Sequence, residues 1–194
     1  MKKSVLLFVA VVAFSAASYA QGVSFGVKAG VNIANQKFTF PGGSLTGDAR
    51  VGFHVGGFVT AMFSDQFGLQ PELLFNSVGV SGENFDGDKV SEAVNYLSIP
   101  VLFRYQPIEI LNIHAGPQVG FLLSAKAEDV DTKEAYKGLD LGAAVGAGVD
   151  LPMGLGFTAR YVLGLANAGE TESDEVKLKN NVFQISVSYR FGGN

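Results

Sequence analysis

An unbroken alternation of residue types between Gly138 and Asp150 is the feature that most constrains how this chain can fold. Its odd positions hold only Leu, Ala or Val, and its even positions hold only Gly, Ala or Asp. A period of two describes a β-strand with one apolar face and one small, polar face. Soluble strands commonly have about five or six residues, whereas a tilted strand that crosses a membrane needs about 9–11. The segment is long enough to be a membrane strand.

The first 20 residues have the three zones of a secretory signal. Lys2 and Lys3 are basic, residues 5–16 are apolar, and Ser18-Tyr19-Ala20 is a small-x-small ending. This layout predicts that residues 1–20 are a cleaved signal peptide and that residues 21–194 form one domain. The apolar zone is shorter than the roughly 20 residues of a membrane-spanning helix.

Composition excludes several classes of function. The chain has no Cys, which rules out disulfides, zinc–thiolate sites and thiol catalysis. Its 14 basic residues face 18 acidic ones, so a nucleic-acid partner is not expected. Hydrophobic residues make up 47% of the chain, yet no run after the signal reaches the length of a membrane helix. Because only helices and closed barrels satisfy their backbone hydrogen bonds in lipid, a barrel is predicted.

Eight segments with alternating residues are separated by connections of alternating length. The segments are residues 23–35, 50–63, 67–79, 94–105, 110–124, 138–150, 154–166 and 181–191. The connections 64–66, 106–109 and 151–153 are short, whereas 36–49, 80–93, 125–137 and 167–180 are long and polar. We therefore predict an all-β, eight-stranded antiparallel up-and-down transmembrane β-barrel. Its short turns would be periplasmic and its long loops extracellular. The rival architecture is a soluble lipocalin-like barrel, with its apolar face inside.

Three prolines interrupt the predicted strands. Pro71 and Pro117 fall on the apolar, outward face, and Pro100 falls on the inward face. Since proline cannot donate a ladder hydrogen bond, local β-bulges are expected at these positions.

The other face of the predicted strands carries charged and amide side chains of both signs. These residues are Lys28, His54, Gln70, Glu72, Arg104, His114, Gln118, Arg160 and Arg190. The interior of an eight-stranded barrel is only wide enough for side chains to fill it. We therefore predict an interior polar network, with a cluster of Glu72, Arg104 and Arg160 at its centre. The alternative is a narrow water-filled pore lined by the same charges.

No residue pattern predicts catalysis, a metal site or a cofactor. His54 and His114 are the only histidines, both fall on the inward face, and no spacing pairs either with a serine. The acidic residues of segment 83–88 have oxygen ligands suited to calcium but lack the full loop pattern, so a solvated loop is predicted. The protein is expected not to be an enzyme; the open alternative is a lipid-modifying barrel.

Several segments resemble a known family of barrels. They are 26–32 (GVKAGVN), 52–58 (GFHVGGF), 69–75 (LQPELLF), 96–102 (YLSIPVL), 116–120 (GPQVG) and 188–191 (SYRF). With these segments the chain resembles the small porin-family or PorT-like outer-membrane barrels of Bacteroidetes. The resemblance implies an outer-membrane location in a Gram-negative bacterium, and it brings no catalytic residues.

The expected function is a structural or loop-mediated interaction role without catalysis. The alternatives are a narrow porin for small solutes and a PorT-like accessory factor in protein secretion. The expected partners are outer-membrane lipid and, through the long loops, extracellular ligands or secretion-machinery proteins. A monomer is expected, without nucleic acid or cofactors.

Overall fold

A computed structural model describes residues 22–83, 89–127, 130–169 and 176–191. The predicted signal peptide lies outside the described residues. No helix within these ranges is long and apolar enough to cross a membrane.

Eight long strands dominate the described chain. They are β1 (Val23–Phe40), β3 (Asp48–Met62), β4 (Phe67–Glu83), β5 (Lys89–Ile108), β6 (Leu111–Ala127), β8 (Leu139–Asp150), β9 (Leu155–Gly164) and β10 (Lys177–Phe191). Two short strands, β2 (Gly43–Thr46) and β7 (Val130–Asp131), extend the sheet beyond β1 and β6, and a 3₁₀ turn follows at Lys133–Ala135. Each long strand pairs antiparallel with the next, and β10 pairs with β1. The predicted up-and-down barrel of eight strands is confirmed.

The two faces of the strands follow the alternation in the sequence. Even-numbered side chains point inward along most of each long strand, and odd-numbered ones point outward. On β1, Phe25 is 60% exposed whereas Lys28 is 4% exposed. Apolar side chains therefore cover the outside and polar ones fill the inside, which rules out the lipocalin-like alternative. On β1 the outward apolar residues run from Val23 to Ile33, a length that crosses the hydrocarbon layer at a tilt.

The short turns lie where the sequence predicts them, but the long loops are shorter than predicted. β1 continues to Phe40 and pairs with β2, inside the segment 36–49 that was expected to be a loop. Likewise β4 and β5 remain paired as far as the register Glu83–Lys89. Where the strands continue above the membrane, an antiparallel ladder does not need an apolar outer face. The alternation of residue types therefore ends before the strands do, and the sequence predicts strand ends that lie too close to the membrane.

The expectation of bulges at the prolines is wrong. Pro71 pairs with Val101 in the same continuous β4–β5 register that includes Leu74 and Ser98. The register of β5 and β6 is also unshifted at Pro100. The irregularities of these ladders lie elsewhere, as between Asn95 and Tyr96. Each proline lacks the N–H group for one ladder hydrogen bond, but no extra residue is inserted as it would be in a bulge. The inward and outward faces of the strand therefore stay the same on both sides of the proline.

Candidate functional site

The centre of the barrel holds an ion-paired group that we call the middle ionic layer: Lys28, Glu72, His114 and Arg160. Lys28 Nζ donates to Glu72 Oε1 at 2.8 Å. Arg160 donates through both terminal nitrogens to the two carboxylate oxygens of Glu72, each at 2.8 Å. Arg160 Nε donates to His114 Nε2 at 3.2 Å. All four residues are buried, so this layer fills the cross-section of the barrel with side chains held by charge-assisted hydrogen bonds.

A glycine on β8, the strand between those of His114 and Arg160, leaves space for this layer. Gly146 pairs with His114 on one side and with Arg160 on the other. A Cβ atom at Gly146 would lie 2.5 Å from the Ala159 carbonyl oxygen and 2.7 Å from His114 Nε2. Interior glycines of β8 thus provide space for long side chains from neighbouring strands.

A second group, the lower ionic layer, lies nearer the short turns and consists of Arg104, Asn112, Asp150 and Arg190. Arg104 forms an ion pair with Asp150, and Asn112 Nδ2 donates to the same carboxylate at 2.9 Å. Arg190 Nη2 lies 3.9 Å from Asp150 Oδ1, with its side chain 25% exposed. Gln70 links the two layers: it accepts from Arg104 at 3.0 Å and donates to Glu72 at 2.7 Å.

The predicted cluster of Glu72, Arg104 and Arg160 is therefore wrong in one member. Arg104 pairs with Asp150, and Lys28 takes its place beside Glu72. Arg104 and Arg160 belong to the same lateral row of paired residues, which runs through His114 and Gly146. Because barrel strands tilt, such a row climbs along the axis, and its two ends lie at different heights.

Above the middle layer, His54 is held by two polar partners. His54 Nδ1 is 2.8 Å from Asn32 Oδ1, an acceptor, so this nitrogen donates. His54 Nε2, 2.8 Å from Ser186 Oγ, then accepts from the hydroxyl. Gln184 Nε2 also donates to Asn32 Oδ1, at 2.9 Å. The order Ser–His–Asn resembles a catalytic triad, but Ser186 is 3% exposed and neither described cavity is lined by Ser186 or His54.

Among the nine predicted network residues, Gln118 is the one for which the described part of the chain shows no side-chain hydrogen bond or ion pair. Its Oε1 atom is buried and unpaired. With Asp140 and Asn76 it lines a cavity of about 30 Å³, which has room for water. A smaller cavity of about 10 Å³ lies between the middle and lower layers, lined by Lys28, Arg104 and Arg190 among others. Both spaces are on the scale of one or a few water molecules and are far smaller than the roughly 300–1,000 Å³ of a typical small-molecule site.

The extracellular end of the barrel is closed by Tyr136, which lies in a segment predicted to be a loop. Tyr136 is 6% exposed, and its hydroxyl accepts from Gln36 Nε2 at 3.1 Å. Gln36 also donates to Asn180 Oδ1 at 3.1 Å, and Leu178 packs in the same cluster as Tyr136. Burial raises the pKa of the Tyr136 hydroxyl, which keeps it protonated. A single Tyr among polar residues carried no signal by which sequence reasoning could find this closure.

No group of three or more His, Cys, Asp or Glu residues that could hold a metal ion is present in the described part of the chain. The arrangement is chemically a filled polar core: the charged groups of the two ionic layers are engaged with one another, and His54 is engaged with neutral partners.

Solved structures of bacterial surface and outer membrane proteins are similar to this chain. Neisserial surface protein A is 14% identical, with a TM-score of 0.58, and the match covers 88% of this chain and 100% of that one. OprG from Pseudomonas aeruginosa is 13% identical with a TM-score of 0.51, covering 88% and 95% of the two chains. A major outer membrane protein from Thermus thermophilus is 14% identical with a TM-score of 0.51, covering 88% and 100%. At these identities the likeness shows the fold alone.

No curated relative matches the sequence. The family model described as outer membrane protein beta-barrel domain matches residues 18–169, which is most of the chain. Together with the closed ring of strands, the apolar outer face and the polar interior, this match shows that the chain belongs to that family and is a β-barrel of the Gram-negative outer membrane.

Proposed function

We propose that this protein is a non-enzymatic barrel with a closed interior, and that its extracellular rim performs its specific role. The observation that carries the proposal is the middle ionic layer, in which Glu72 binds Lys28 and Arg160 across the lumen. A barrel closed in this way serves as a rigid support for the segments above the membrane.

The energetics of the middle layer favour a closed state. Opening a path would require Glu72 to leave at least one buried cation, and breaking a buried pair costs about 3–5 kcal/mol. At about 3 kcal/mol, an open state would be populated in fewer than about one molecule in a hundred. Tyr136 and Gln36 close the extracellular end independently.

Planar-bilayer recording tests this proposal directly. We expect no discrete conductance steps from the purified full chain, with protease protection used to show that the protein has inserted. Reproducible steps in the wild-type protein would refute the closed-interior proposal.

A narrow porin is the second candidate, and it is supported by the two small cavities on opposite sides of the middle layer. In this case movement of Lys28 or Arg160 away from Glu72 would connect the cavities. Liposome swelling with small sugars, amino acids and ions distinguishes the candidates. Solute entry that depends on the protein would favour the porin.

The extracellular rim is the part suited to binding, because loops on a rigid scaffold commonly carry function. The paired extensions of β1, β2, β4, β5 and β10 present this rim above the membrane. We propose extracellular ligands or secretion-machinery proteins as its partners and a monomer as its state.

A PorT-like accessory role predicts that a deletion strain exports proteins poorly. Normal export by that strain would remove this variant of the proposal.

An enzymatic role is disfavoured by the burial of the Ser186–His54–Asn32 group. Overexpression is expected to leave the lipid A of the host membrane chemically unchanged, as measured by mass spectrometry. A new lipid A species that disappears in Ser186→Ala would overturn this expectation.

A further inference from the structure

Three lysines form a cationic patch on the outer face of the barrel, just beyond the apolar band. Lys37 on β1 pairs directly with Lys179 on β10, and the next outward pair is Thr39 with Lys177. Directly paired residues point to the same side of a sheet, so the three ammonium groups share one face. The lysine patch comprises Lys37, Lys177 and Lys179.

Like charges directly opposite each other destabilise a β-ladder. None of the three lysines has an ion pair or a hydrogen bond with another described residue. Lys126, on β6, is by contrast paired in register with Asp131. An anion that lies against this Lys–Lys pair would therefore stabilise it.

Hydroxyl groups complete the patch on its other side. β2 pairs with the outer part of β1, which places Thr46 opposite Lys37 and Ser44 opposite Thr39. Ser44 and Thr46 are exposed. The face thus combines three ammonium groups with three hydroxyl groups, donors that suit the oxygens of a phosphate group.

The height of the patch relative to the membrane identifies the source of the phosphate. The last outward apolar pair on these strands is Ile33 with Phe183, each about two-fifths exposed. Asn35 pairs with Asn181 above it, and Lys37 with Lys179 follow. At about 3.3 Å per residue and a tilt of roughly 40°, this row lies about 10 Å beyond the apolar band. The flexible lysine stems can reach back from there to the headgroup layer.

We propose that the lysine patch binds the phosphate groups of outer-leaflet lipid headgroups. The site lies on the lipid-facing side of the extracellular rim and uses Lys37, Lys177 and Lys179, with Ser44, Thr39 and Thr46 as further donors. The inference depends on the outer-membrane location and is independent of whether the barrel conducts.

The test is titration of the full chain with diphosphoryl lipid A in a maltoside detergent, with binding followed by native mass spectrometry. Neutralising each lysine is expected to weaken binding about fivefold, and Lys37→Gln, Lys177→Gln and Lys179→Gln together about a hundredfold. The matched control carries Lys89→Gln, Lys126→Gln and Lys133→Gln, which removes the same charge from β5, β6 and the turn after β7, away from β1 and β10. It is expected to bind within twofold of the wild type.

Two further arms identify the ligand. Dephosphorylated lipid A is expected to bind equally to the wild type and the patch variant, and inorganic phosphate is expected not to compete at millimolar concentration. Equal weakening in the control triple, or tight binding of the dephosphorylated lipid, would overturn the proposal. Full competition by inorganic phosphate would overturn the lipid as the source.

A charge reversal separates this role from a structural one. In maltoside alone, Lys179→Glu should raise the unfolding temperature because it faces Lys37. With diphosphoryl lipid A present, the same substitution should remove the stabilisation that the lipid gives the wild type. Stabilisation by the lipid that persists in Lys179→Glu would contradict the proposal.

Discussion

Replacing Glu72 by Gln tests the middle ionic layer with almost no change in side-chain volume. The Glu72 carboxylate is fully buried and accepts four hydrogen bonds, from Lys28, Gln70 and, twice, Arg160. In Glu72→Gln one oxygen becomes an NH₂ group, which must face a donor, and two buried cations lose their only described carboxylate partner. Removing one member of a buried pair commonly costs about 3–5 kcal/mol.

The expected result is a fall of about 3–5 kcal/mol in the free energy of unfolding, measured by urea titration in lipid vesicles with heat-modifiable gel mobility as the readout. Glu109→Gln is the matched control, since Glu109 is exposed in a short turn and should change stability by less than about 0.5 kcal/mol. The double variant Lys28→Met with Glu72→Gln should recover part of the loss, because it removes one of the two unpaired cations.

A Glu72→Gln variant as stable as the Glu109→Gln control would refute the reasoning. It would mean that Lys28 and Arg160 reach water easily and that the lumen is wider than the structure shows.

Three other substitutions probe the packing, the closure and the lipid face. Gly146→Val should destabilise the barrel by about 1–3 kcal/mol through contact with the Ala159 carbonyl and His114, as measured by the same urea titration; an unchanged midpoint would show that β8 can move away. Tyr136→Phe should cost about 1 kcal/mol through loss of its hydrogen bonds with Gln36, read from thermal unfolding, and an effect as large as that of Tyr136→Ala would contradict a role limited to the hydroxyl. Val145→Arg, at an outward position on β8, should cost about 2–4 kcal/mol in vesicles, whereas Leu45→Arg on β2, beyond the apolar band, should cost almost nothing. Equal costs at the two positions would place the membrane boundary elsewhere.

The sequence predicts the barrel well because a period of two directly encodes which side chains face lipid. Lys28 and Phe25 are assigned to opposite faces by their positions alone, and the structure places them there. The same rule does not predict the partner of Arg104. Which side chains meet inside the barrel depends on the stagger between neighbouring strands, which is a property of the closed ring. The residues of a single strand do not encode this stagger.

The extracellular closure could not be predicted for a different reason. Gln36, Tyr136 and Asn180 belong to three segments without alternation, and only the tertiary structure brings them together. Polar residues in such segments look the same whether they are solvated or buried by one another. The ladder at Pro71 was likewise unpredictable, because whether a missing donor is tolerated depends on the strands on both sides.

The regular assignment of even positions to the interior also determines where this chain can change length. Deleting one residue within β8 would move Val145 and its outward neighbours into the lumen and the small residues into lipid, so the whole strand would be inverted. A deletion between Phe40 and Asp48 would alter β2, which pairs only with the outer end of β1. It would leave the faces of β1 and β3 unchanged, because these two strands also pair with each other and β1 pairs with β10. Insertions and deletions are thus tolerated outside the membrane-crossing strands, and the extracellular segments offer the most residues for them. This part of the molecule can therefore diversify in length while the membrane-embedded part stays the same.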